Sequence, residues 1–376
     1  MLTPKDEQEL SEAVLGASDP LRIIGGGTRG VGPGAPNLST RELTGVTLYE
    51  PGALTLVAKS GTPLAEINEH LASEGQMLAF EPSDFRPLLR TEGEPTIGGI
   101  VAANESGPRR LAVGACRDFL LGVRFVDGSG NVVKNGGRVM KNVTGYDLVK
   151  LLCGSHGTLG ILSEVSLKVL PRPETSASLM IYGPTVDEAV GLMARAMGSP
   201  YEVTGAAYSS QDMAGHPVVF LRLEGSETQV TGRLSKLRNL LEPFVPTGEN
   251  YAISELTDVD AVQQQWVSLR DLDEEAGTYR DVWRLSVKPS DAPAICAALP
   301  EPNYQLDWAG GRIWAFTEPG TDLRNIIGQF DGHATLIKSA SNLPRFHPEP
   351  APLANLSAGL RNQFDPRGIL NSGLMG

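Results

Sequence analysis

The sequence lacks the cysteine and histidine patterns that hold metal ions. The chain of 376 residues has 3 cysteines, Cys116, Cys153 and Cys296, which are far apart in sequence and form no C-x-x-C pair. Its 5 histidines show neither an H-x-H nor an H-E-x-x-H spacing. Because iron–sulfur and zinc sites need such ligand clusters, the sequence predicts neither within this chain. Any redox chemistry is therefore expected to come from an organic cofactor.

A surplus of positive charge and a long apolar run are also missing. The net charge of −12 argues against nucleic acid or an anionic membrane surface as a direct partner. No run of about 18 apolar residues is present, so the sequence predicts no membrane-spanning helix. Residues 1–7 are polar and do not resemble a signal peptide, and we expect a cytoplasmic protein.

Glycine is abundant, with 43 residues, and its first cluster follows an apolar strand at residues 21–24. Gly25, Gly27 and Gly30 match the pattern G-x-G-x-x-G, which holds a pyrophosphate when the turn opens a helix. Residues 31–37 contain two prolines and two more glycines, which do not continue a helical turn. The loop is therefore expected to bind an anion with its own backbone N–H groups. Taken alone, a tight turn between strands explains it equally well.

Two further glycine-rich blocks follow, at residues 95–107 and 141–162. In the earlier block, the small Gly98 and Gly99 would let the backbone approach a ligand closely. A hairpin of strands 120–126 and 132–134 separates the two blocks, and a strand at 161–169 ends this half of the chain. Three glycine clusters separated by strands favour one extended ligand over three unrelated turns.

The other elements expected in this half are a helix, two strands and a second helix. The first helix spans residues 5–16, and the strands span 43–49 and 55–60. The second helix begins at Thr62-Pro63 and places Leu64, Ile67 and Leu71 on one apolar face at three- and four-residue spacing. That face is expected to pack in the core.

Beyond residue 173 the order βαββα occurs twice. The expected elements are strand 176–182, helix 186–197, strands 202–208 and 218–223 and helix 228–241, then strand 282–288, helix 291–299, strands 304–308 and 312–316, helix 322–330 and a closing strand 334–338. Such a repeat predicts one antiparallel sheet with helices on a single face and the other face free to cover a ligand. An acidic helical insert, 258–275, separates the copies.

Several short motifs carry a resemblance to a known family. They are residues 24–28, residues 96–99 with Asn104 and Gly107, and residues 114–118, 145–148, 154–160, 283–287, 332–336 and 364–371. In this order they resemble the FAD-binding domain of the vanillyl-alcohol oxidase superfamily, also called the p-cresol methylhydroxylase (PCMH) type. Within it the chain is most similar, over nearly its whole length, to E subunits of bacterial glycolate oxidase.

The resemblance implies an α+β fold in three parts. Residues 1–173 would form a PCMH-type FAD-binding domain, residues 174–340 a ferredoxin-like antiparallel-sheet cap, and residues 341–376 a segment that returns to the FAD domain. The implied cofactor is non-covalent FAD, because relatives that attach flavin covalently use a histidine in the first loop and this chain has none there.

The resemblance also assigns the cofactor contacts. The first loop would wrap the FAD pyrophosphate, the second block would follow the pyrophosphate and ribityl chain, the third would lie near the flavin, and the turn up to residue 161 would contact the adenosine half. The implied residues are Gly25, Gly26, Gly27, Thr28, Arg29 and Gly30; Thr96, Ile97, Gly98, Gly99, Asn104 and Gly107; Gly145, Tyr146 and Asp147; and Gly154, Ser155, Gly157, Thr158, Gly160 and Ile161.

The implied function is that of an FAD-binding subunit of a glycolate oxidase or dehydrogenase complex, which oxidises a small 2-hydroxy acid by hydride transfer to flavin. The implied partners are a sister FAD-linked oxidase subunit and an iron–sulfur subunit. The location would be cytoplasmic, or peripheral to the inner membrane through those partners. The longer sister subunits hold a metal beside the substrate with paired late histidines, whereas here only His333 and His347 occur late. We therefore expect no metal site, and a structural role for His333.

A 2-hydroxy acid needs a cation for its carboxylate and a base for its hydroxyl proton. Arg284 and Arg312 are the candidate catalytic clamps, since each sits in an apolar-patterned strand where an unpartnered charge costs free energy. Strand alternation places Arg284 with Ser286 and Lys288 on one face, opposite Trp283, Leu285 and Val287. Arginines exposed on the outer sheet are equally consistent. A non-catalytic FAD-binding scaffold and a stand-alone alcohol oxidase remain as alternatives.

Overall fold

The chain divides into two compact units. The computed structural model describes residues 1–30, 34–139, 145–211, 215–248 and 250–375. Unit 1 comprises Met1–Gly107, Gly114–Arg172 and Pro348–Gly376, and unit 2 comprises Pro108–Val113 and Pro173–His347. This division differs from the predicted boundaries in three places, the smallest being that Pro173 belongs to unit 2. Residues 108–113 belong to unit 2, and unit 2 continues to His347 rather than ending at residue 340.

The strands of the described residues, in chain order, are β1 Ile23–Ile24, β2 Leu38–Ser39, β3 Val46–Glu50, β4 Thr55–Lys59, β5 Gln76–Met77, β6 Leu120–Val126, β7 Val132–Gly136, β8 Ile161–Lys168, β9 Leu170–Pro171, β10 Thr175–Tyr182, β11 Val203–Ser209, β12 Val218–Gly225, β13 Ala252–Leu256, β14 Asp281–Val287, β15 Tyr304–Asp307, β16 Arg312–Thr317 and β17 Gly332–Lys338.

The α-helices are α1 Glu7–Leu15, α2 Leu64–Ser73, α3 Arg86–Leu89, α4 Ile97–Ala103, α5 Arg110–Val113, α6 Cys116–Phe119, α7 Leu148–Leu152, α8 Val186–Met197, α9 Glu227–Leu241, α10 Val259–Asp271, α11 Ala292–Ala297, α12 Leu323–Ile327 and α13 Ala351–Phe364. None of these described helices is both long and apolar enough to cross a membrane.

Unit 1 is built on an antiparallel sheet of strand order β3-β4-β8-β6-β7 and a small parallel pair, β1 with β2. The β6–β7 hairpin forms where the sequence predicts it, because the Asp127 carboxylate accepts the amide protons of Ser129 and Asn131 at 2.8 and 2.9 Å and so closes the turn. Leu10 and Val14 of α1 are fully buried in one core cluster with Leu38 and with Leu370 from the C-terminal segment.

The carboxylate of Glu7 joins α1 to this sheet. Glu7 accepts hydrogen bonds from the Nε atom of Arg124 on β6 at 2.8 Å and from the hydroxyl of Ser163 on β8 at 2.6 Å. The hydrogen bond from Arg124 is the main cause that lowers the pKa of Glu7 below its ordinary value, against the opposing effect of burial. The ionised carboxylate is therefore the form that holds the helix in place.

Replacing this carboxylate should make unit 1 less stable at neutral pH. Because the folded-state pKa of Glu7 is lowered, its stabilisation is complete above the unfolded pKa and disappears as the pH falls through the folded value. Glu7→Gln should therefore melt at a lower temperature than the native chain at pH 7, and the difference should shrink on acidification below about pH 4.5. Glu69→Gln, at an exposed position on α2, is the control. An equal loss for the control would contradict the assignment.

Unit 2 is built on an antiparallel sheet whose eight strands, among the residues described, follow the order β13-β10-β12-β11-β15-β16-β14-β17. Helices α8, α9, α11 and α12 bury their apolar sides on one face of this sheet, against residues such as Leu179, Leu221 and Trp283. The predicted α+β class is confirmed. The strands and helices of both predicted βαββα copies are present, and β13 is an additional edge strand that the sequence did not predict.

The helices of the two βαββα copies lie on a single face as predicted, but the expectation that the other face is free is wrong where the insert helix covers it. The insert helix α10 packs Val262 and Trp266 onto the opposite face, against Met180 and Phe220. Trp266 is 2% exposed, and its Nε1 donates to the hydroxyl of Ser178 at 2.8 Å. Two apolar side chains four residues apart give this acidic insert a face that has to be buried.

Candidate functional site

The first glycine loop offers a row of unused backbone donors. Strand β1 ends at Ile24 and the chain turns through residues 25–30 without entering a helix. Within the described ranges, the amides of Gly25, Gly26, Gly27 and Thr28 donate to no protein acceptor. The neighbouring carbonyls, by contrast, are occupied: Gly25 accepts from the Ser39 hydroxyl and Thr28 from the Thr91 hydroxyl, both at 2.9 Å. Consecutive free N–H groups of this kind form an anion-binding concavity.

Glycines in this loop allow it to lie directly on the segment before α4. A Cβ atom at Gly25 would stand 2.3 Å from the Thr96 hydroxyl oxygen, and one at Gly26 would stand 1.7 Å from the carbonyl oxygen of Glu94. Gly27 has a φ of 78°, a left-handed conformation that glycine adopts readily. The structure thus joins the first and second predicted blocks through backbone packing.

The second block is a short helix whose first amides are used by the protein. Thr96 caps α4 by accepting the Gly99 amide at 3.3 Å, while Ile97 and Gly98 donate to the carbonyls of Thr62 and Ser60 at 3.0 and 2.7 Å. A Cβ at Gly98 would lie 2.6 Å from that of Ser60. The small size of Gly98 thus lets it pack against Ser60, and its predicted closeness to a ligand stays a prediction.

Arg29 and Asn104 are likewise committed to protein partners. The Arg29 guanidinium donates to the carboxylate of buried Glu105 at 2.9 Å and to the Ser83 carbonyl at 3.0 Å. Asn104 ends α4 with a φ of 49°, and its side-chain oxygen accepts the Arg117 amide at 3.0 Å. These contacts leave the backbone donors of the first loop as its main means of binding an anion.

Two cysteines that are distant in sequence meet in unit 1. Burial is the main cause that raises the pKa of the Cys116 thiol well above its ordinary value, followed by a hydrogen bond with Cys153. Cys153 in turn lies 3.5 Å from the Asn104 side-chain oxygen. Protonated, buried thiols are poor nucleophiles, so this pair packs rather than reacts. Gly107 also serves packing, since a Cβ there would stand 2.2 Å from the Glu81 carbonyl oxygen.

The third block separates into two parts. Gly145, Tyr146 and Asp147 precede α7, where Tyr146 is 87% exposed and Asp147 caps the helix by accepting the Lys150 amide at 3.2 Å. Residues 141–144 lie outside the described residues. The predicted proximity of these three residues to the flavin stays a prediction.

The turn after α7 is tied together by its own side chains. Ser155 donates to the Leu152 carbonyl at 2.8 Å and Thr158 to the Ser155 carbonyl at 2.7 Å, while Gly154 and Gly157 have left-handed φ values. Gly160 packs on the Phe125 ring, and Ile161 is buried as the first residue of β8. These positions form a rigid turn, and their predicted role at the adenosine half stays a prediction.

A cavity of about 260 Å³ opens beside the first loop. Its lining includes Arg22, Ile24, Gly27 and Gly30 from the loop region and Asn371 and Leu374 from the C-terminal segment. The wall is mostly apolar with one guanidinium, and Gly27 is the lining residue that belongs to the row of free amides. The site can therefore take a ligand that combines an anionic group with an apolar one.

In unit 2 both candidate arginines lie on the sheet face opposite α8, α9 and α11. Arg284 pairs across the sheet with Trp314 and Thr335, and Ser286 pairs with Arg312 and His333. Trp283 and Leu285 point into the helix-covered core, as strand alternation predicts. The two arginines are therefore diagonal neighbours on one surface.

Arg312 and Arg284 differ in how deeply they are buried. Arg312 is fully buried in an ion pair with Asp307, and its guanidinium stacks over Trp308 at 4.3 Å. Burial raises the pKa of Asp307, while the adjacent Arg312 acts to lower it. Because Arg312 is fully buried and Arg284 is half-buried, Arg284 is the more accessible of the two to an external carboxylate.

A third cation and an imidazole share this region of unit 2. Arg110 of α5 stacks over Trp308 at 4.3 Å. Loss of hydration, then the positive charges of Arg284, His347 and Arg110, lower the pKa of His333. The imidazole is therefore neutral at pH 7. No local pattern in the sequence indicated Arg110, because α5 lies between two segments of unit 1 along the chain but belongs to unit 2 in three dimensions.

Metal ligation has no support in the part of the chain that is described, where no group of three or more His, Cys, Asp or Glu side chains could hold an ion. His347 uses Nδ1 to accept the Ala334 amide at 3.2 Å.

Comparisons with known proteins agree with this architecture. The family described as FAD binding domain matches residues 1–136. Over its full length, the structure is similar to alkyldihydroxyacetonephosphate synthase with a TM-score of 0.71, covering 99% of this chain and 76% of that one at 17% identity. At that identity the likeness shows the fold alone, and it is the PCMH-type fold that the motifs predict.

Relatives found by sequence show which family of FAD-binding proteins the chain resembles. The chain is 29% identical over 197 residues to glycolate oxidase subunit GlcD of Bacillus subtilis (strain 168), covering 50% of this chain and 40% of that protein. It is 37% identical over 340 residues to glycolate oxidase subunit GlcE of Escherichia coli (strain K12), covering 90% of this chain and 86% of that protein. With a match of this extent and an N-terminal FAD binding domain, the chain belongs to the family of the glycolate oxidase subunit GlcE.

Proposed function

We propose that this chain is the FAD-binding subunit of a heteromeric glycolate-oxidising enzyme, and that the amides of residues 25–28 hold the FAD diphosphate. The observation that carries the proposal is the row of four unused N–H donors, next to a largely apolar cavity of about 260 Å³. When bound, FAD supplies the hydride acceptor for oxidation of a 2-hydroxy acid. The protein residues supply a rigid, donor-rich cradle for the anionic middle of the dinucleotide.

We expect backbone N–H groups to bind the diphosphate, because the nearby side chains already bind protein partners. Arg29 is paired with Glu105, and the first amides of α4 already donate to residues 60 and 62. Residues 25–30 contain neither histidine nor cysteine, so the loop has no group for a covalent flavin bond. The cofactor is accordingly proposed to dissociate on denaturation.

The test is reconstitution of the purified chain with FAD. We expect stoichiometric binding, a higher melting temperature with FAD than without it, and release of all flavin into the supernatant after acid precipitation. Yellow colour that remains in the pellet would contradict non-covalent binding. No binding and no thermal shift in excess FAD would contradict the proposed function as a whole.

The substrate step is proposed for unit 2. Arg284, with Arg110 nearby, would hold the glycolate carboxylate, and the neutral imidazole of His333 would accept the hydroxyl proton. The supporting observations are the shared sheet face of Arg284 and His333 and the lowered pKa of His333. Arg312 would act as a support that keeps Trp308 and Asp307 in place rather than as a direct clamp.

A second candidate function is that of a non-catalytic FAD-binding scaffold. It is favoured by the ion pair of Arg312 with Asp307, because Arg312, one of the two arginines predicted to bind the substrate carboxylate, is already paired within the protein. Anaerobic mixing of the FAD-loaded chain with glycolate separates the two candidates. Bleaching of the flavin band supports catalysis in this chain, and a persistent band supports the scaffold.

The proposed partners are a sister FAD-linked subunit and an iron–sulfur subunit, in the cytoplasm or at the inner membrane through those partners. The subunit names of the two glycolate oxidase relatives support the sister subunit, whereas the iron–sulfur subunit and the location come from the sequence resemblance alone. Purification of the tagged chain from its native cell should bring down a longer flavoprotein and an iron–sulfur protein, and recovery of the chain alone would contradict this.

A further inference from the structure

We infer that Asn371 is a positioning residue for the cofactor, which fixes the strand before the first glycine loop against the turn at residues 156–157. This inference rests on the proposed binding of FAD by the first loop. It concerns a residue of the C-terminal segment, which no motif argument placed at the cofactor.

The side chain of Asn371 bridges two parts of unit 1. Its Oδ1 accepts the amide of Ile23, in β1, at 2.7 Å, and its Nδ2 donates to the His156 carbonyl at 2.8 Å. The backbone takes part as well, because the Asn371 amide donates to the Leu21 carbonyl at 2.9 Å and Leu21 donates to Ile369 at 2.7 Å. The C-terminal segment thus forms an isolated parallel bridge to Leu21, just before β1.

Asparagine suits this position for two reasons. Its φ is 44°, in the left-handed region that asparagine tolerates better than other non-glycine residues. Its amide group supplies an acceptor and a donor at once, and both are used in a position that is only 3% exposed. Gly157 completes the fit, since a Cβ there would lie 3.1 Å from the Asn371 Nδ2.

The contacts of Asn371 affect the position of the free amides of residues 25–28. Ile23 lies two residues before Gly25, so a shift of β1 moves the amides of residues 25–28 directly. Asn371 also lines the cavity together with Gly27 and Gly30. Loss of the bridge should therefore misplace the cradle by fractions of an ångström, which weakens several hydrogen bonds to the diphosphate at once.

A merely structural role predicts something different, and the chain contains a matched control. Asn37 binds the segment just before β1, accepting the Arg22 amide at 2.7 Å and donating to the Pro20 carbonyl at 2.9 Å. Among the described contacts, Asn37 has none with residues 156–157. Removing Asn37 thus tests general loosening of the strand without breaking the bridge to the turn.

The experiment compares Asn371→Gly, Asn371→Asp and Asn37→Ala. Glycine keeps the left-handed backbone and removes every side-chain hydrogen bond, whereas aspartate keeps the acceptor for the Ile23 amide and loses the donor to the carbonyls of His156 and Ile23. For each variant we would measure the melting temperature of the apo chain, the FAD dissociation constant from flavin fluorescence, and the absorption spectrum of the bound flavin.

We expect Asn371→Gly to weaken FAD binding at least tenfold and to shift the flavin spectrum, and Asn371→Asp to give an intermediate loss. Asn37→Ala should lower the apo melting temperature but leave FAD affinity within twofold. The inference is overturned if either Asn371 variant binds FAD within twofold of the native chain, or if Asn37→Ala weakens binding equally. If glycine prevents folding, the aspartate variant decides. Failure of the native chain to bind FAD would instead overturn the proposed function.

Discussion

Gly26→Ala should weaken FAD binding by roughly a hundredfold. The added methyl would stand 1.7 Å from the Glu94 carbonyl oxygen, which is backbone and has no rotamer to move away. The loop must shift instead, and overpacking of this kind costs about 2–3 kcal/mol. Because the displaced segment carries the free amides of residues 25–28, the cost should appear chiefly as lost affinity for the diphosphate rather than as a local rearrangement.

The measurement is the FAD dissociation constant, with circular dichroism of the apo chain to verify that the fold is retained. Gly52→Ala is the control, since a Cβ at that glycine meets nothing within 4 Å and its backbone is not left-handed. Gly93→Ala approaches the same contact from the other side, because its Cβ would lie 2.3 Å from the Gly26 carbonyl oxygen, and it should also weaken binding. Native affinity in Gly26→Ala would remove the first loop from the diphosphate site.

The first loop could be predicted from sequence because its signals are local. Glycines that end an apolar strand, followed by prolines that exclude a helix, decide the turn within about a dozen residues. The second block shows the limit of that reasoning. Gly98 and Gly99 lower intrinsic helix propensity, yet α4 forms there because Thr96 caps it and Gly98 packs on Ser60, which only the tertiary structure reveals.

Long-range partners account for most of what the sequence did not show. Asn371 meets Ile23 across 348 positions, and no local pattern specifies that pair. Arg110 belongs to unit 2 because the six-residue segment Pro108–Val113 packs there, and no change in composition indicates this in the sequence. The partner of Arg312 is near it in sequence, since Asp307 lies opposite Arg312 in the hairpin of β15 and β16. Pairing these two predicted strands would have identified Asp307 as that partner.

Arg284→Met should slow reduction of the flavin by glycolate by about 2–4 kcal/mol, or roughly 30- to 1000-fold, while FAD affinity stays unchanged. Methionine keeps much of the apolar volume of the side chain and removes the cation that the carboxylate requires. Anaerobic stopped-flow spectroscopy of the FAD-loaded chain gives the rate. Lys288→Met, at the residue that follows β14, is the matched control, because Lys288 is exposed and paired with Asp331.

The same substitution has a second readout that does not depend on turnover. The positive charge of Arg284 is one of the causes that lower the pKa of His333, after loss of hydration. Removing that charge stabilises the imidazolium, so the pKa of His333 should rise toward its ordinary value of about 6.5, while the charges of His347 and Arg110 still hold it below that value. Imidazole proton resonances followed against pH would measure this shift. If glycolate reduces the Arg284→Met flavin at the native rate and the His333 titration does not move, then Arg284 neither binds the carboxylate nor acts on the imidazole. If the rate falls while the titration is unchanged, the clamp stands and His333 loses its assignment as the proton acceptor beside it.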